Sequence, residues 1–212
     1  LKEVGDIDGV NLRVNSARKR TTPVLTGGRR AEFDSQGAAN IAVVKQDGVY
    51  RAWYSGLFRE PGSEWPKSGA IPSVRVGYAE SADGVHFKKK PLGLSAFGSN
   101  NQTNIVAGLP ATPIFRPIVP TGMHVDTADP DPNRRYKFLT WTGGRPVRKP
   151  GDDADSVDAQ TWTLWTSPDG LRWRLASRGG IRFPGGMPSS FSPQSMFYDP
   201  DETDPARKYK AY

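Results

Sequence analysis

Apolar and polar residues alternate with a period of two along several short stretches of the chain. In the run from Tyr50 to Tyr54, tyrosine, alanine and tyrosine share one face, whereas Arg51 and Trp53 lie on the other. The same rhythm recurs at two further sets of positions: Val74, Val76 and Tyr78, and Trp162, Leu164 and Thr166. A period of two is typical of β-strands. Because no stretch shows a helical stripe, the pattern predicts an all-β fold built from short antiparallel strands.

A unit of strands and turns is repeated in the sequence. The segment SADGVHF, which starts at Ser81, is followed 86 residues later by SPDGLRW, which starts at Ser167. Tyr50 and Tyr136, each at the start of an aromatic strand, show the same offset. Two features that share one period indicate a duplicated structural unit. Within each repeat we expect the Asp-Gly pair to form a structural turn, with the glycine at positive φ.

A third copy begins near the end of the chain. Residues 204–210 (DPARKYK) echo residues 131–137 (DPNRRYK) at an offset of 73. Radially repeated antiparallel sheets form β-propellers, in which each blade buries its faces against its neighbours. We therefore expect a single partial propeller domain of about two and a half blades over residues 1–212. Its blade-like units fall at about 22–95, 104–178 and, incomplete, 190–212. The remaining blades would belong to the same or a longer polypeptide, and the alternative is an open or unusual sandwich complete in itself.

Composition narrows the class of function. The formal charge of +7 is carried by short basic clusters in predicted loops, and no nucleic-acid-binding motif accompanies them. The apolar run over residues 105–119 is broken by three prolines, so no segment is predicted to span a bilayer. Cysteine is absent, which excludes disulfides and zinc–thiolate sites. We therefore expect neither a nucleic-acid partner nor a membrane span.

Three segments carry a resemblance to a known group of enzymes. GVYRAWYSG, VGYAESADGVHFKKKPLGL and NNQTNIV resemble the five-bladed β-propeller glycoside hydrolases of families 43, 32 and 68 and their uncharacterised bacterial relatives. The resemblance covers residues 37–108 well and residues 124–212 more loosely. It implies a central funnel in which a carbohydrate is bound and its glycosidic bond hydrolysed by a pair of carboxylates.

The same resemblance implies three carboxylates, one from each of the first three blades. On this chain Asn40 stands at the first position, and Gln194 or Ser192 stands at the third. The segment before Asp126 offers no acid at the second position. The nearest acids, Asp34 and Asp126, are therefore the candidate catalytic residues, in acid and base roles.

Four residues are candidates for sugar binding. Amides recognise sugar hydroxyls by hydrogen bonding and aromatic rings stack on sugar faces, which indicates Asn40, Trp53, His124 and Gln194. The alternatives are a turn-capping role for Asp34 and a structural role for His124.

No cofactor is expected. Asp129, Asp131 and Asn133 imitate the opening of a calcium loop, but the later ligand positions are missing and an Asp-Pro turn is the simpler interpretation. The acidic stretch over residues 152–158 leaves loose calcium binding open as an alternative to a solvated loop.

Two functions follow from the sequence. The leading hypothesis is a glycoside-hydrolase-like propeller that hydrolyses glycosidic bonds of a carbohydrate in the central funnel. The alternative is a non-catalytic carbohydrate-binding or scaffolding propeller with degenerate catalytic positions, which the amides at expected carboxylate positions favour.

Overall fold

A computed structural model describes residues 20–59, 73–113, 120, 122–141, 162–178 and 196–211. Its regular elements are antiparallel strands and two short 3-10 turns, Pro132–Arg134 and Pro205–Arg207, which confirms the predicted all-β class. The strands are β1 (Gly37–Gln46), β2 (Val49–Phe58), β3 (Ser73–Ser81), β4 (Thr112–Pro113), β5 (Gly122–Val125), β6 (Tyr136–Trp141), β7 (Trp162–Ser167), β8 (Arg174–Arg178), β9 (Met196–Tyr198) and β10 (Tyr209–Ala211). Within the described residues, no helix is long and apolar enough to cross a membrane.

The first sheet has the strand order β1-β2-β3-β4. Its first hairpin closes with Gln46 opposite Val49, which leaves Asp47 and Gly48 as a two-residue loop. Both loop residues have positive φ, 50° and 77°, as the tight turns that match the strand twist require. The Asp-Gly pair in the sequence is thus explained by the backbone of this hairpin.

The second sheet repeats the first three strands of the first sheet in order and in register, whereas the fourth strands, β4 and β8, lie at different points of the repeat. Its strands run β5-β6-β7-β8, and Tyr136 pairs with Ser167 just as Tyr50 pairs with Ser81. The third unit is described as the hairpin β9-β10, in which Tyr198 pairs with Tyr209. The first strands of the units are neighbours, because β1 contacts β5 and β5 contacts β9.

The Ser-x-Asp-Gly turns of the two sheets have the same hydrogen bonds. Asp83 Oδ1 accepts the amides of the residues two and three positions later, at 2.8 Å each. Asp169 Oδ1 accepts the equivalent amides at the same distances. The following glycines, Gly84 and Gly170, have φ of 75° and 76°. The predicted structural role of these aspartates is confirmed, since their carboxylates satisfy backbone donors of the turn.

A shared apolar core joins the first two sheets. It contains Trp53 and Tyr78 from the first sheet, Val106, whose amide donates to the Val76 carbonyl of that sheet, and Phe138, Trp165 and Trp173 from the second repeat. The indole of Trp53 donates to the Gly170 carbonyl at 2.6 Å, and the indole of Trp173 donates to the same oxygen at 2.9 Å. Backbone hydrogen bonds between Ala107 and the second unit extend this junction.

The position of Trp53 corrects its assignment to sugar binding. The side chain is 0% exposed, and its ring lies 5.4 Å from Tyr78 and 5.9 Å from Tyr136, centroid to centroid. Both faces of the second strand are covered, so an aromatic residue on either face is buried. Trp53 therefore has no surface for a sugar and instead packs between two sheets.

A tyrosine clasp closes each described junction between units at the ends of the first strands. Tyr136 of the second unit donates its hydroxyl to Gln46 Oε1 at 2.6 Å and accepts from Arg51 Nη1 at 2.8 Å. At the next junction Tyr209 donates to Asp126 Oδ2, and the Lys137 ammonium lies 5.3 Å from the Tyr209 ring centroid. The clasp thus pairs a phenol of one unit with a polar acceptor and a cation of the preceding unit.

Replacing Gly170 by alanine is expected to lower the free energy of unfolding by roughly 2–5 kcal/mol. The added Cβ would lie 2.6 Å from Trp53 Cζ2, on a backbone with φ of +76°. Gly98→Ala is the matched control, because Gly98 also has positive φ, +58°, but nothing within 4 Å of its Cβ position. Urea denaturation measures both variants, and equal losses would show that the contact with Trp53 does not constrain the junction.

Candidate functional site

A turn before β1 places Asp34 in contact with residues 27 and 28. The carbonyl of Asp34 accepts the amides of Gly28 and Gly37 at 3.0 Å each. A Cβ on Gly27 would lie 2.6 Å from the same carbonyl oxygen. The two adjacent glycines therefore allow residues 27 and 28 to lie directly against Asp34.

The Asp34 carboxylate is held by two donors from distant parts of the chain. Asp34 Oδ2 accepts from the Tyr54 hydroxyl at 2.9 Å and from Lys89 Nζ at 2.5 Å. Lys89 also donates to the Thr26 carbonyl at 2.6 Å, and its side chain is 23% exposed whereas that of Asp34 is 1% exposed. Lys89 thus covers the carboxylate and supplies the positive charge that a buried acid requires.

Asn104 completes this polar network from the opposite side. Its Nδ2 donates to the Tyr54 hydroxyl at 2.7 Å and to the Tyr78 carbonyl at 2.8 Å. Burial and the neighbouring Asp34 carboxylate raise the pKa of Tyr54 well above its usual range, so Tyr54 stays a neutral hydrogen-bond donor. We call the group Glu32, Asp34, Tyr54, Lys89 and Asn104 the Asp34 site.

Glu32 brings a second carboxylate to the site. A Cβ on Gly28 would lie 2.0 Å from Glu32 Oε2 and 2.3 Å from Asp34 Oδ1. The two oxygens therefore lie close to one another, in the space that a side chain at position 28 would occupy. Glu32 Oε2 also accepts the Arg29 amide at 3.0 Å, which fixes the carboxylate in the turn.

Two cavities adjoin the site, and Glu32 and Lys89 line both. One has a volume of about 490 Å³ and extends along residues 23–29 to Phe87. The other, of about 110 Å³, is lined by Phe97 and by the side chains of Asn100, Gln102 and Asn104. The amides and the carboxylate around this cavity can form hydrogen bonds with a polar ligand, and the aromatic ring adds an apolar face.

Two glycines in the neighbouring strands make room for the turn. A Cβ on Gly56 would lie 2.3 Å from the Phe33 ring and 2.9 Å from Asp34 Cβ. A Cβ on Gly77 would lie 2.6 Å from both the Phe33 and Tyr54 rings. The glycines of the YSG and VGY motifs were the signal in the sequence for this close approach.

Asp126 lies at the other end of the first strands. Its clasp makes it the counterpart of Gln46, which ends β1, whereas Asp34 precedes β1. A ten-residue strand such as β1 spans about 30 Å, far more than the roughly 5–10 Å between paired glycosidase carboxylates. The structure therefore does not bring the two predicted catalytic acids together.

The contacts of Asp126 assign it a structural role. Its carboxylate is 4% exposed, accepts from Lys137 Nζ at 2.9 Å, and accepts from Tyr209. Burial acts to raise the pKa of Asp126, but the hydrogen bonds from Tyr209 and Lys137 outweigh it and the pKa lies below its usual value. Asp126 thus holds a junction between units.

Two of the other predicted residues, Asn40 and His124, lie on the first strands of their sheets and outside the hydrogen-bond network of the Asp34 site. Asn40 is exposed and has φ of 48° at an irregularity between Ala39 and Ala42 in β1, where asparagine tolerates positive φ. His124 lies on β5 with its ring 6.2 Å from that of Tyr209, and burial lowers its pKa. Gln194 lies outside the described residues.

The calcium-like sequence around Asp129 forms a turn bound to protein cations. Asp131 Oδ1 accepts the Asn133 amide at 2.9 Å, and Asp129 Oδ2 lies 2.7 Å from Lys137 Nζ. Across the described ranges, no group of three or more histidine, cysteine or acidic residues could hold a metal ion. The acidic stretch over residues 152–158 lies outside those ranges.

No protein-family model matches this chain. A search of curated proteins likewise finds no match.

Replacing Lys89 by methionine is expected to lower the free energy of unfolding by about 3–5 kcal/mol, because it leaves the buried Asp34 carboxylate without its cation. The neighbouring Lys88, which is exposed, provides a matched control in Lys88→Met. Combining Lys89→Met with Asp34→Asn should recover part of the loss, since the unpaired charge is removed. Chemical denaturation of the wild type, the two single variants, the double variant and the Lys88→Met control tests the pair, and a strictly additive double variant would contradict the coupling.

Acid is expected to remove the stability that Asp126 contributes. Because the pKa of Asp126 is lower in the folded than in the unfolded chain, its contribution is present above the unfolded value of about 3.9 and declines as pH falls through the folded value. The difference in unfolding free energy between the wild type and Asp126→Asn should therefore shrink below about pH 4. Asp47→Asn, in the exposed hairpin turn, is the control, and a difference independent of pH would refute the assignment.

Proposed function

We propose that the chain forms part of a five-bladed β-propeller of the glycoside hydrolase type. The first three strands of two four-stranded sheets share order and register, and a third unit begins with a similar hairpin. Their first strands contact one another in sequence, which fits inner strands arranged around a common axis. The segments that resemble these hydrolases contribute β2, β3 and Asn104 to this arrangement.

Within that architecture, the Asp34 site is the proposed carbohydrate site. The observation that carries the proposal is the close approach of the Glu32 and Asp34 carboxylates in the space left open by Gly28, beside two cavities. Glycoside hydrolysis uses one carboxyl group as acid and a second as nucleophile or base, a few ångströms apart. Glu32, which is partly exposed and lines both cavities, would act as the acid. Asp34, ion-paired with Lys89, would act as nucleophile or base once the covering lysine moves.

A second candidate is carbohydrate binding without hydrolysis. It is favoured by the 1% exposure of Asp34, whose Oδ2 is already engaged by Lys89 and Tyr54. In this alternative the amides of Asn100 and Gln102, with the Phe97 ring, bind the sugar. Asp34 then serves to fix the turn that carries Glu32.

Aryl-glycosides and oligosaccharides, tested for turnover and for binding by calorimetry, separate the two functions. If the chain hydrolyses a glycoside, Glu32→Gln and Asp34→Asn should each lower kcat by roughly 10²–10⁴-fold, because each removes a carboxylate of the pair. Asp47→Asn, an exposed aspartate outside the site, should retain full turnover.

The outcomes are distinct. Binding without turnover, weakened by Gln102→Ala, would support the binding function and remove the hydrolase assignment. Turnover that survives both carboxylate substitutions would place the chemistry elsewhere. The absence of both binding and turnover would overturn the carbohydrate assignment.

A further inference from the structure

The sequence contains four Asp-Gly pairs, and the structure describes three of them: Asp47-Gly48, Asp83-Gly84 and Asp169-Gly170. The fourth, Asp8-Gly9, lies outside the described residues. An Asp-Gly pair is chemically reactive, because the glycine amide nitrogen can attack the carboxyl carbon of the aspartate side chain and no side chain on the glycine hinders the approach. The reaction requires the amide and the carboxyl group to leave any hydrogen bonds they make. The surroundings of each pair therefore decide which of them reacts.

Hydrogen bonds restrain both reacting groups in the two Ser-x-Asp-Gly turns. The Gly84 amide donates to Ser81 Oγ at 3.0 Å, and the Gly170 amide donates to Ser167 Oγ at 2.9 Å. In both turns the aspartate Oδ1 also accepts two backbone amides and the serine hydroxyl. Attack by either glycine would break hydrogen bonds to a charged group, which are among the stronger ones in proteins.

Packing confines the same two glycines. A Cβ on Gly84 would lie 3.2 Å from the Tyr50 ring, and a Cβ on Gly170 would lie 2.6 Å from the Trp53 ring. Closure of a ring between the amide and the side chain requires the backbone to rotate between aspartate and glycine. Close-packed neighbours oppose such a rotation.

Neither restraint is present in the hairpin between β1 and β2. Asp47 and Gly48 are both exposed, and a Cβ on Gly48 would have nothing within 4 Å. Among the described residues, neither the Asp47 carboxylate nor the Gly48 amide has a hydrogen-bond partner. Both reacting groups are therefore available in the folded chain.

We propose that Asp47 is a site of spontaneous isomerisation to isoaspartate, and that this modification loosens the tyrosine clasp at Gln46. The Gly48 amide nitrogen attacks Cγ of the protonated Asp47 carboxyl group, and the amide hydrogen and the carboxyl hydroxyl leave as water, which closes a succinimide ring. Water then opens the ring. Addition at Cγ restores aspartate, whereas addition at the main-chain carbonyl carbon gives isoaspartate, in which Cβ has become part of the main chain. One water is released and one is taken up, so no co-reactant is needed.

The link to the clasp is the position of Gln46, which directly precedes Asp47. Gln46 Oε1 accepts the Tyr136 hydroxyl at 2.6 Å and Arg51 Nη1 at 3.2 Å. The length of the two-residue loop sets the register of β1 on β2, and isoaspartate adds one carbon to that loop. We therefore expect the side chain of Gln46 to move from its position beside Tyr136. The inference rests on the hairpin and is independent of the proposed carbohydrate chemistry.

Peptide mapping of the folded protein after prolonged incubation tests the site. Incubation is best done at a pH between neutrality and the ordinary aspartate pKa of about 3.9, because the reacting carboxyl group is protonated. Isoaspartate leaves the mass of a peptide unchanged but alters its chromatographic retention, and isoaspartyl methyltransferase labels it. Isoaspartate should form at Asp47 about tenfold faster or more than at Asp83 or Asp169, because those two must first lose hydrogen bonds to a charged carboxylate.

The chain unfolded in urea is the matched control. Unfolding removes the restraints, so the rates at Asp47, Asp83 and Asp169 should converge. Ser81→Ala provides a second control in the folded protein, since it frees the Gly84 amide and should raise isoaspartate formation at Asp83 without changing that at Asp47. Equal rates at the three sites in the folded protein would overturn the proposal. An equally large excess at Asp47 in the unfolded chain would do so too, because it would assign the difference to local sequence.

Urea denaturation of the separated isoforms tests the effect on the clasp. The isoaspartate form should unfold at a lower urea concentration than the unmodified form. In Gln46→Ala, which lacks the clasp acceptor, the same modification should cause a smaller shift. The absence of a shift in the wild type, or an equal shift in both backgrounds, would show that the modification does not act through Gln46.

Discussion

The carbonyl of Gly170 is the point on which the association of the first two sheets depends. It accepts indole N–H groups from both units, Trp53 and Trp173, so one backbone oxygen neutralises two buried donors that would otherwise lack partners. Only a residue without a side chain can approach Trp53 so closely at positive φ. The same close approach brings the Trp53 ring within 5.9 Å of the Tyr136 ring of the second sheet, centroid to centroid, so the apolar core extends across both sheets.

Apolar contacts and polar contacts join the units in different ways. The aromatic core gives most of the burial, but such contacts tolerate small shifts of one sheet over another. The tyrosine clasps at the strand ends do not tolerate such shifts, because a buried charge such as that of Lys137 needs its partner at hydrogen-bond distance. Polar groups at the strand ends therefore fix the register that the apolar core alone leaves variable. A buried acid is also held by a cation and a tyrosine at the opposite end of the first strand, where Lys89 and Tyr54 bind Asp34.

The sequence predicted local features well, because the chemistry of a turn is contained within a few residues. The all-β class and the Asp-Gly turns at Asp83 and Asp169 follow from alternation and turn composition. Contacts across the fold were harder to predict. Asp34 is bonded to residues 20 and 55 positions away, and alternation shows which residues share a face but not which neighbour covers it. The prediction of Trp53 as a sugar-binding residue fails for this reason, since the ring is buried between two sheets. The sequence gives no signal for Glu32, because its role depends on its position beside Gly28.

The number of residues in the irregular part of β1, around Asn40, determines the orientation of the turn that carries the Asp34 site. Pairing between β1 and β2 runs from Gly37 to Ala39 and resumes at Ala42. The two halves of β1 therefore pair with β2 in registers that differ by one residue. Strands change face with every residue. Loss or gain of a single residue in this interval would therefore reverse the direction in which the preceding turn presents its acids, while leaving the rest of the sheet intact. Natural variation at this point should accordingly occur by substitution and not by insertion or deletion.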